Sequence, residues 1–286
     1  MRIAIIGGGI SGLVSAYLLH GDHEVTVFEA NDYIGGHTHT VDVEREGRHY
    51  AVDTGFIVFN EVTYPNFVML INRLGVAYQP SQMTFSCKSE PECREYSAHS
   101  LNTIFGQRRN LLDPSFYAMV RDILRLRGEF TRLVEVAGDE RPLVPYLRSR
   151  GYSKRFLDFF IIPMAAAIWS ADPGSAERFP VRTFARFFLN HGILEVKNPF
   201  EWKVISGGSA RYVEKLTASF RDRIRLKASI RSVTRHADHV EVFPVSGPAE
   251  RFDHIVLACH SDQALALLAD PTPQEREVLG AIPYQE

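Results

Sequence analysis

The stretch Arg2-Ile-Ala-Ile-Ile-Gly-Gly-Gly-Ile-Ser-Gly12 decides the fold of this 286-residue chain. Its first five residues form an apolar run of strand length, and the run ends in a glycine-rich turn. Within that turn Gly7, Gly9 and Gly12 have the spacing G-x-G-x-x-G. Such a turn is common on its own, so its meaning depends on what surrounds it.

The residues that follow give the turn a specific context. Leu13–His20 is a compact helical stretch, Glu24–Phe28 is a second apolar strand, and Glu29 stands at the end of that strand. An acidic residue therefore follows the last glycine by 17 positions. A glycine turn between a strand and a helix, with an acid at the end of the next strand, predicts a dinucleotide-binding βαβ unit.

Each residue of this unit has a physical role in holding an anionic dinucleotide. Gly7 permits the tight turn, Gly9 lets the backbone approach a diphosphate, and Gly12 lets the helix pack closely on the sheet. The free N–H groups at the start of the helix stabilise the negative phosphates. Glu29 can accept hydrogen bonds from an adenosine ribose and would repel a 2′-phosphate, which disfavours NADP. The alternative is a βαβ unit whose turn holds no ligand.

A second glycine pair distinguishes flavin from nicotinamide. Gly35-Gly36 follows the acidic strand end closely and would bring another backbone segment to the same diphosphate. The segment Tyr50–Phe59 then reads as an apolar strand interrupted by Asp53-Thr-Gly55. With these motifs the chain resembles the flavin-containing amine oxidase superfamily, and most closely a group of bacterial NAD/FAD-binding proteins. That resemblance implies an FAD-dependent oxidoreductase that transfers a hydride from a substrate C–H bond to flavin N5.

Further motifs carry the resemblance along the whole chain. They are Gly36–Val41, Asp53–Asn60, Pro163–Ser170, Asn190–Gly192, Gly207–Ser209 and Leu257–Leu265. The residues that the resemblance assigns to FAD are Gly7, Gly9, Ser11 and Gly12 at the diphosphate, Glu29 at the ribose, Gly35, Gly36 and His37 at the pyrophosphate and ribityl chain, Gly55, Phe56 and Ile57 beside the flavin ring, and Ile230 at the adenine, with Ala30 and Thr38 completing the set. His37 replaces the arginine usual in the wider family. Because histidine is largely neutral at pH 7, one charge contact to the diphosphate is missing or made differently.

Composition describes an ordinary globular chain, with 45% hydrophobic and 23% charged residues and a net charge of −2. This balance gives no basic field that would attract nucleic acid, so we predict no nucleic-acid partner. Cys87, Cys93 and Cys259 are too few and too scattered for a disulfide framework, so reduced thiols are predicted. No charged-then-apolar leader precedes the first strand, which predicts a cytoplasmic protein.

The most apolar segment is Phe156–Trp169, which contains Asp158 and Pro163. It is too short and too interrupted to span a bilayer, since a spanning helix needs about 20 apolar residues. The favoured interpretation is a buried helix pair in a substrate domain. The alternative is an apolar tunnel or a membrane-facing patch for a lipid-like substrate, with peripheral membrane contact.

The chain changes character twice, from strand-rich to mostly helical after Asn60 and back to strand-rich after Trp202. Strand-like runs in the last part are Ile224–Ala228, Ile230–Arg235, Val240–Phe243 and Phe252–Ala258. Ser261 is predicted to cap a short helix through Ala269. We therefore predict an α/β fold with a discontinuous Rossmann-like FAD/NAD(P)-binding domain, residues 1–60 and 203–286, built on a parallel sheet plus a β-meander. Residues 61–202 form a largely helical inserted substrate domain in this prediction.

The sequence assigns no catalytic residue. No Ser/His/Asp or Cys/His hydrolytic group stands out, and Cys259 and His260 are adjacent at a strand end, so their side chains diverge. His37, His39 and His49 lack the spacing of metal ligands, so we predict no metal site.

The chain ends at Glu286, whereas the proteins it resembles continue well beyond this point. In the family the missing part carries a lysine near flavin N5, half of the substrate pocket and a second flavin-binding segment. The resemblance therefore implies a C-terminally truncated member, with a small-molecule or lipid-like substrate. Two alternatives stay open, an NAD-dependent dehydrogenase and a catalytically idle dinucleotide-binding fragment. The sequence makes no prediction of the oligomeric state.

Overall fold

A computed structural model describes residues 1–135, 138, 140–194, 200–282 and 284. The chain divides into two compact units. The first contains Met1–Phe59, Pro65–Pro80 and Lys203–Glu286, and the second contains Asn60–Tyr64 and Ser81–Trp202.

The regular elements follow one another along the chain as a mixture of strands and helices. The strands are β1 (Arg2–Ile6), β2 (Glu24–Phe28), β3 (Thr40–Arg45), β4 (Arg48–Asp53), β5 (Tyr78–Ser81), β6 (Ser86–Ser89), β7 (Arg94–Ser97), β8 (Trp202–Ile205), β9 (Ile224–Arg225), β10 (Ile230–Arg235), β11 (Val240–Pro244), β12 (Glu250–Phe252) and β13 (His254–Leu257). The helices are α1 (Ile10–Leu19), α2 (Pro65–Arg73), α3 (Leu101–Ile104), α4 (Pro114–Glu135), α5 (Leu143–Ser149), α6 (Lys154–Phe156), α7 (Ile162–Trp169), α8 (Pro173–Arg178), α9 (Val181–Asn190), α10 (Ala210–Thr217), α11 (Ser261–Leu267) and α12 (Pro273–Gly280).

A parallel sheet in the order β13-β1-β2-β9 forms the centre of the first unit. Its middle strand β1 is buried from Ile3 to Ile6, as expected for a parallel strand covered on both faces. In the register, Ile5 lies between Val27 of β2 and Val256 of β13. The predicted Rossmann-like α/β fold is confirmed.

An antiparallel meander, β10-β11-β12, accompanies this sheet. Its side chains Val233 and Val242 are fully buried. The rings of Phe28 and Phe252 meet edge to face with centroids 5.9 Å apart, which is a favourable aromatic arrangement. The predicted β-meander is therefore present and joins the core of the parallel sheet.

The run Phe252–Ala258, predicted as one strand, is divided in the structure at Asp253. The backbone N–H of Asp253 donates to the carbonyl of Arg2 at 2.9 Å, and its carboxylate accepts from the N–H of Arg2 at 2.7 Å. The chain there leaves the meander as β12 and enters the parallel sheet as β13. The helix that follows is capped by His260 and not by Ser261.

The region predicted as the strand Tyr50–Phe59 is a strand only as far as Asp53, where it forms the end of β4 in a hairpin with β3. The register pairs Val41 with Val52 and Val43 with Tyr50, and β4 ends at Asp53. The prediction was wrong about the extent of this strand, because the chain leaves the hairpin at the Asp53-Thr-Gly55 segment.

The predicted domain division differs from the observed units in the segment Pro65–Pro80. This segment, which carries α2, belongs to the first unit. The ring of Phe67 lies edge-on to those of Phe56, Phe59 and Tyr212, with centroid distances of 5.2, 5.0 and 5.4 Å. This aromatic cluster attaches α2 to the rest of the first unit.

The second unit is mainly helical and has its own aromatic core. Phe116, Phe130, Phe184 and Phe188 are fully buried there. The apolar segment predicted as a buried helix pair forms α6, a π-helical turn at Leu157–Ile161 and α7, and its side chains belong to the same core. In the described part of the chain, no helix is long and apolar enough to cross a bilayer.

A buried carboxylate links helices α4 and α5 of the second unit and makes the stability of that unit depend on pH. Burial raises the pKa of Glu129, but hydrogen bonds from Tyr146 and Arg150, at 2.5 and 2.8 Å, outweigh it and leave that pKa below its ordinary value. A lowered folded-state pKa stabilises the fold above the ordinary glutamate pKa of about 4.3, and this stabilisation is lost as pH falls further.

We therefore expect Glu129→Gln to lower the free energy of unfolding by about 2 kcal/mol at pH 7, the typical worth of hydrogen bonds to a charged group. The difference from the parent should shrink as the pH falls towards 3. Urea unfolding at several pH values measures it. Glu135→Gln, at the exposed end of the same helix, serves as the control, with an expected change within about 0.5 kcal/mol. A difference that does not depend on pH would contradict this account of Glu129.

Candidate dinucleotide-binding site

Glycine is required at two positions near the junction of β1 and α1, one in the turn and one in the first turn of the helix. Gly7 has φ +112°, and an alanine Cβ there would lie 2.5 Å from the carbonyl oxygen of Ala258. Its N–H donates to the carbonyl of Phe28 at 2.9 Å. A Cβ on Gly12 would lie only 1.9 Å from the carbonyl oxygen of Gly7. Both glycines therefore let the turn and the first helix lie against the ends of the strands.

Gly9 has a different role, because the space beside it is open. A Cβ built there would meet only the Cα of Gly36, at 4.0 Å. Gly9 is the N-cap of α1, and in the described structure no side chain caps this helix and no acidic residue lies in its first turn. Ser11 is exposed in that turn. The helix start therefore presents N–H groups and partial positive charge to an open space, which suits an anionic diphosphate.

The second glycine pair lies directly against the first turn. The N–H of Gly35 donates to the carbonyl of Gly8 at 2.8 Å, and Gly35 forms a parallel bridge with Gly9. Gly35 and Gly36 have φ values of +118° and +59°, which favour glycine. A Cβ on Gly36 would lie 3.0 Å from the Cα of Gly9. The predicted convergence of the two glycine segments is thus a direct backbone contact.

Glu29 is buried behind the turn and holds it in place. One carboxylate oxygen accepts from the N–H of Gly8 at 2.7 Å, and the other accepts from the N–H and side-chain amide of Asn31 at 2.8 and 2.9 Å. A carboxylate has roughly four acceptor positions, so capacity for a ligand hydroxyl remains. The neighbouring Ala30 is exposed. Glu29 therefore supports the turn and can also contact a ribose.

A third segment, around Gly55, packs on the chain that follows the second glycine pair. The N–H of Phe56 donates to the carbonyl of His37 at 3.3 Å, and a Cβ on Gly55 would lie 1.7 Å from the same oxygen. Thr38 is buried and shares a hydrogen bond with the phenol of Tyr212. Burial raises the pKa of Tyr212, so this phenol stays protonated. Gly55, His37 and Thr38 thus form one connected loop region.

The start of α10 anchors this loop region through Ser209, a residue that the sequence did not assign to the site. Its N–H and hydroxyl donate to the carboxylate of Asp53 at 2.9 and 3.0 Å, and the hydroxyl also lies 3.2 Å from the carbonyl of Phe56. The motif Gly207–Ser209 was the signal that could have identified it.

The two remaining predicted contacts lie at the edges of the site. Ile57 is 48% exposed in the segment after Phe56. Ile230 is half-buried at the start of β10, where the pairing with β11 is irregular. The N–H of Ala228, two residues earlier, donates to the carbonyl of Glu29 at 2.8 Å. Ile230 therefore follows, by two residues, a backbone contact with the acidic end of β2, and its role as an adenine contact stays a prediction.

His37 has an unexpected neighbour in His260. Their rings stack with centroids 5.9 Å apart, and His260 stacks in turn on Tyr284 at 4.4 Å. Burial raises the pKa of the Cys259 thiol, so it is a poorer nucleophile than a free cysteine. The arrangement agrees with the prediction that Cys259 and His260 do not act as a nucleophile–base pair.

We expect Glu29→Gln to lower the free energy of unfolding by about 1–3 kcal/mol, because an amide group must then face one of the N–H donors that the buried carboxylate now accepts. Chemical denaturation measures this loss. The matched control is Glu24→Gln at the start of the preceding strand β2. Its exposed carboxylate pairs only with Arg2 in the described structure, so the change in stability should be less than about 0.5 kcal/mol. Equal stability of the two variants would show that Glu29 does not support the turn.

Comparison with known proteins agrees with this geometry. A family model described as flavin-containing amine oxidoreductase matches residues 10–285. AofH of Mycobacterium tuberculosis is named as a flavin-containing monoamine oxidase. It is 26% identical in an alignment 286 residues long that covers 94% of this chain and 59% of AofH.

Solved structures share the fold at low sequence identity. Cyclohexylamine oxidase from Brevibacterium oxydans superposes with a TM-score of 0.70 at 20% identity, over 98% of this chain and 62% of its own. A fatty acid isomerase from P. acnes that produces CLA superposes with a TM-score of 0.65 at 19% identity, over 98% and 63%. The chain thus spans about three fifths of the length of the relatives it matches.

Proposed function

This chain belongs to the family of flavin-containing amine oxidoreductases, and from that premise we propose that it binds FAD at the β1–α1 turn as part of an FAD-dependent oxidoreductase. The observation that carries the proposal is the open space at Gly9 beside an uncapped helix start. A side chain would project into that space, whereas an anionic diphosphate there would be stabilised by the partial positive charge of the helix start.

The second glycine segment favours FAD over NAD as the bound dinucleotide. Gly35 and Gly36 add a second stretch of backbone beside Gly9, so that two segments flank the diphosphate position. The loop region of His37 and Gly55 extends from there and would accompany a ligand longer than the adenosine diphosphate part. A simple nicotinamide-binding βαβ unit needs neither feature.

Within such an enzyme the residues of this chain would bind FAD and hold it in position. The N–H groups at the start of α1 would hold the diphosphate, Glu29 would accept a hydrogen bond from the ribose, and the backbone around Gly55 would run beside the flavin ring. When bound, FAD supplies the redox chemistry by accepting a hydride equivalent from a substrate C–H bond. The negative charge of the Glu29 carboxylate would also repel a 2′-phosphate on the ribose, which disfavours NADP.

We propose a small-molecule amine as the substrate of the whole protein. AofH and cyclohexylamine oxidase carry names that refer to amines. The apolar segment that suggested a lipid tunnel contributes its side chains to the core of the second unit, which supports the amine over the lipid.

The test is a binding comparison on the purified 286-residue chain. We expect calorimetric titration to give one FAD bound per chain, with NAD binding far more weakly and NADP weakest. Tighter binding of NAD than of FAD would support a nicotinamide-dependent dehydrogenase and overturn the proposal. Anaerobic mixing of the FAD-loaded chain with amines then tests turnover, since bleaching of the flavin absorbance would exclude an idle dinucleotide-binding fragment.

A further inference from the structure

The turn that joins β10 to β11 gathers two imidazoles and a carboxylate. The N–H of His236 donates to the carbonyl of His239 at 2.8 Å and closes the turn. The two rings lie face to face with centroids 4.3 Å apart and an interplanar angle of 10°. The Nε2 atom of His236 lies 3.1 Å from Oε2 of Glu241, the second residue of β11. These residues are separate from every residue assigned to the dinucleotide.

A second carboxylate orients one of the imidazoles. Nδ1 of His239 lies 2.7 Å from Oδ1 of Asp238, and the other oxygen of Asp238 accepts from Arg251 at 2.9 Å. A carboxylate partner at Nδ1 keeps the proton on that atom and leaves the lone pair of Nε2 free. Carboxylate–histidine pairs of this kind are typical behind histidines that bind metal ions.

We propose that His236, His239 and Glu241 form a Zn²⁺ site. One potential ligand atom from each residue lies within 4.8 Å of the other two. Zinc binds imidazole nitrogen and carboxylate oxygen at about 2.0–2.2 Å, which places neighbouring ligand atoms roughly 3.3 Å apart in a tetrahedral site. His236 and Glu241 already have this separation.

Bringing His239 into the same site as His236 and Glu241 needs only a local movement of the His236 side chain. The side chain of His236 is 39% exposed, so its ring can tilt out of the stack, whereas His239 is 16% exposed and held by Asp238. Water would occupy the fourth position. Two imidazoles and one carboxylate favour zinc over magnesium or calcium, which prefer oxygen ligands only.

A zinc ion here would join the turn after β10 to the start of β11. Ile230 lies at the other end of β10, five residues from Arg235, or about 16 Å along the strand. The zinc site and the dinucleotide site are therefore independent, and the failure of one proposal does not bear on the other. Because the ligands converge only in the folded hairpin, the ion should stabilise the folded chain.

The test uses the untagged chain after treatment with a chelator, titrated with ZnCl₂ by calorimetry. We expect one Zn²⁺ bound per chain, and an increase in Tm when zinc is added. His239→Ala and Glu241→Gln should each weaken zinc binding at least about 10-fold and remove the increase in Tm. Asp238→Asn should weaken binding while leaving the three ligands in place.

A matched control separates this site from adventitious surface binding. His49 lies 3.3 Å from Asp42 as an exposed histidine–carboxylate pair without a second histidine, and His49→Ala should bind zinc as the parent does. Circular dichroism without zinc checks that each variant is folded. If a ligand variant is unfolded, His236→Gln, which lies in the exposed turn, is measured in its place. The proposal is overturned if the parent binds no stoichiometric zinc, or if the ligand variants bind as tightly as His49→Ala.

Discussion

Gly9→Ala should weaken FAD binding by about 10- to 100-fold while changing the free energy of unfolding by less than about 1 kcal/mol, because the poorer N-cap and the smaller entropy of the unfolded chain oppose each other. The methyl group fits the ligand-free structure, because it meets only the Cα of Gly36 at 4.0 Å. The backbone at Gly9, with φ −77° and ψ −178°, also suits alanine. The same methyl group would project into the space proposed for the diphosphate. A methyl group forced into a well-packed site costs about 1–3 kcal/mol, which gives the stated change in Kd.

Two measurements on the same protein test this expectation. Calorimetric titration with FAD gives the change in Kd, and urea unfolding without FAD gives the change in stability. Gly21→Ala is the control for both, because a Cβ there meets no atom within 4 Å and Gly21 lies after the end of α1. If Gly9→Ala binds FAD as tightly as the parent does, the diphosphate does not lie at this turn.

Gly12→Ala should have the opposite pattern and destabilise the fold itself, by about 3 kcal/mol. Its Cβ would lie 1.9 Å from the carbonyl oxygen of Gly7 and 3.3 Å from Cβ of Ala258. Neither neighbour is the end of a flexible side chain, so α1 must move away from β1 and β13. Such a movement breaks the close packing of helix and sheet on which the buried Leu13 and Ala16 depend.

Thermal and urea unfolding of Gly12→Ala, again beside Gly21→Ala, measure this loss. The comparison with Gly9→Ala is informative because both glycines belong to one motif and only one of them is required by the protein's own packing. Equal stability of Gly12→Ala and the parent would mean that the helix does not pack as closely on the strand ends as the structure indicates.

The sequence predicted the βαβ unit correctly because the residues that determine this unit lie close together in the chain. A strand, a glycine turn and an acid at a fixed spacing are all read within Arg2–Glu29, and the contacts of Gly7 and Glu29 explain that spacing. The approach of Gly35 to the same turn was predicted from the position of the second glycine pair soon after the acidic strand end.

The features that the sequence did not predict depend on distant partners. Asp253 divides one apolar run into two strands, because its hydrogen bonds to Arg2 fix the point at which the chain changes sheet. The ring stack of His37 on His260 joins residues from opposite ends of the chain. Neither contact leaves a periodic signal, so neither can be read from residue spacing alone.

The hydrogen bond from Gly8 to Glu29 has a consequence for how fast and how tightly a ligand is captured. A buried carboxylate already fixes the turn in the shape that we propose for ligand binding, so the backbone entropy of the turn is lost during folding. An arriving dinucleotide therefore has little loop ordering to impose, and more of its contact energy contributes to affinity. Recognition at this end of the ligand should resemble rigid docking, with association limited by encounter and not by rearrangement of the turn.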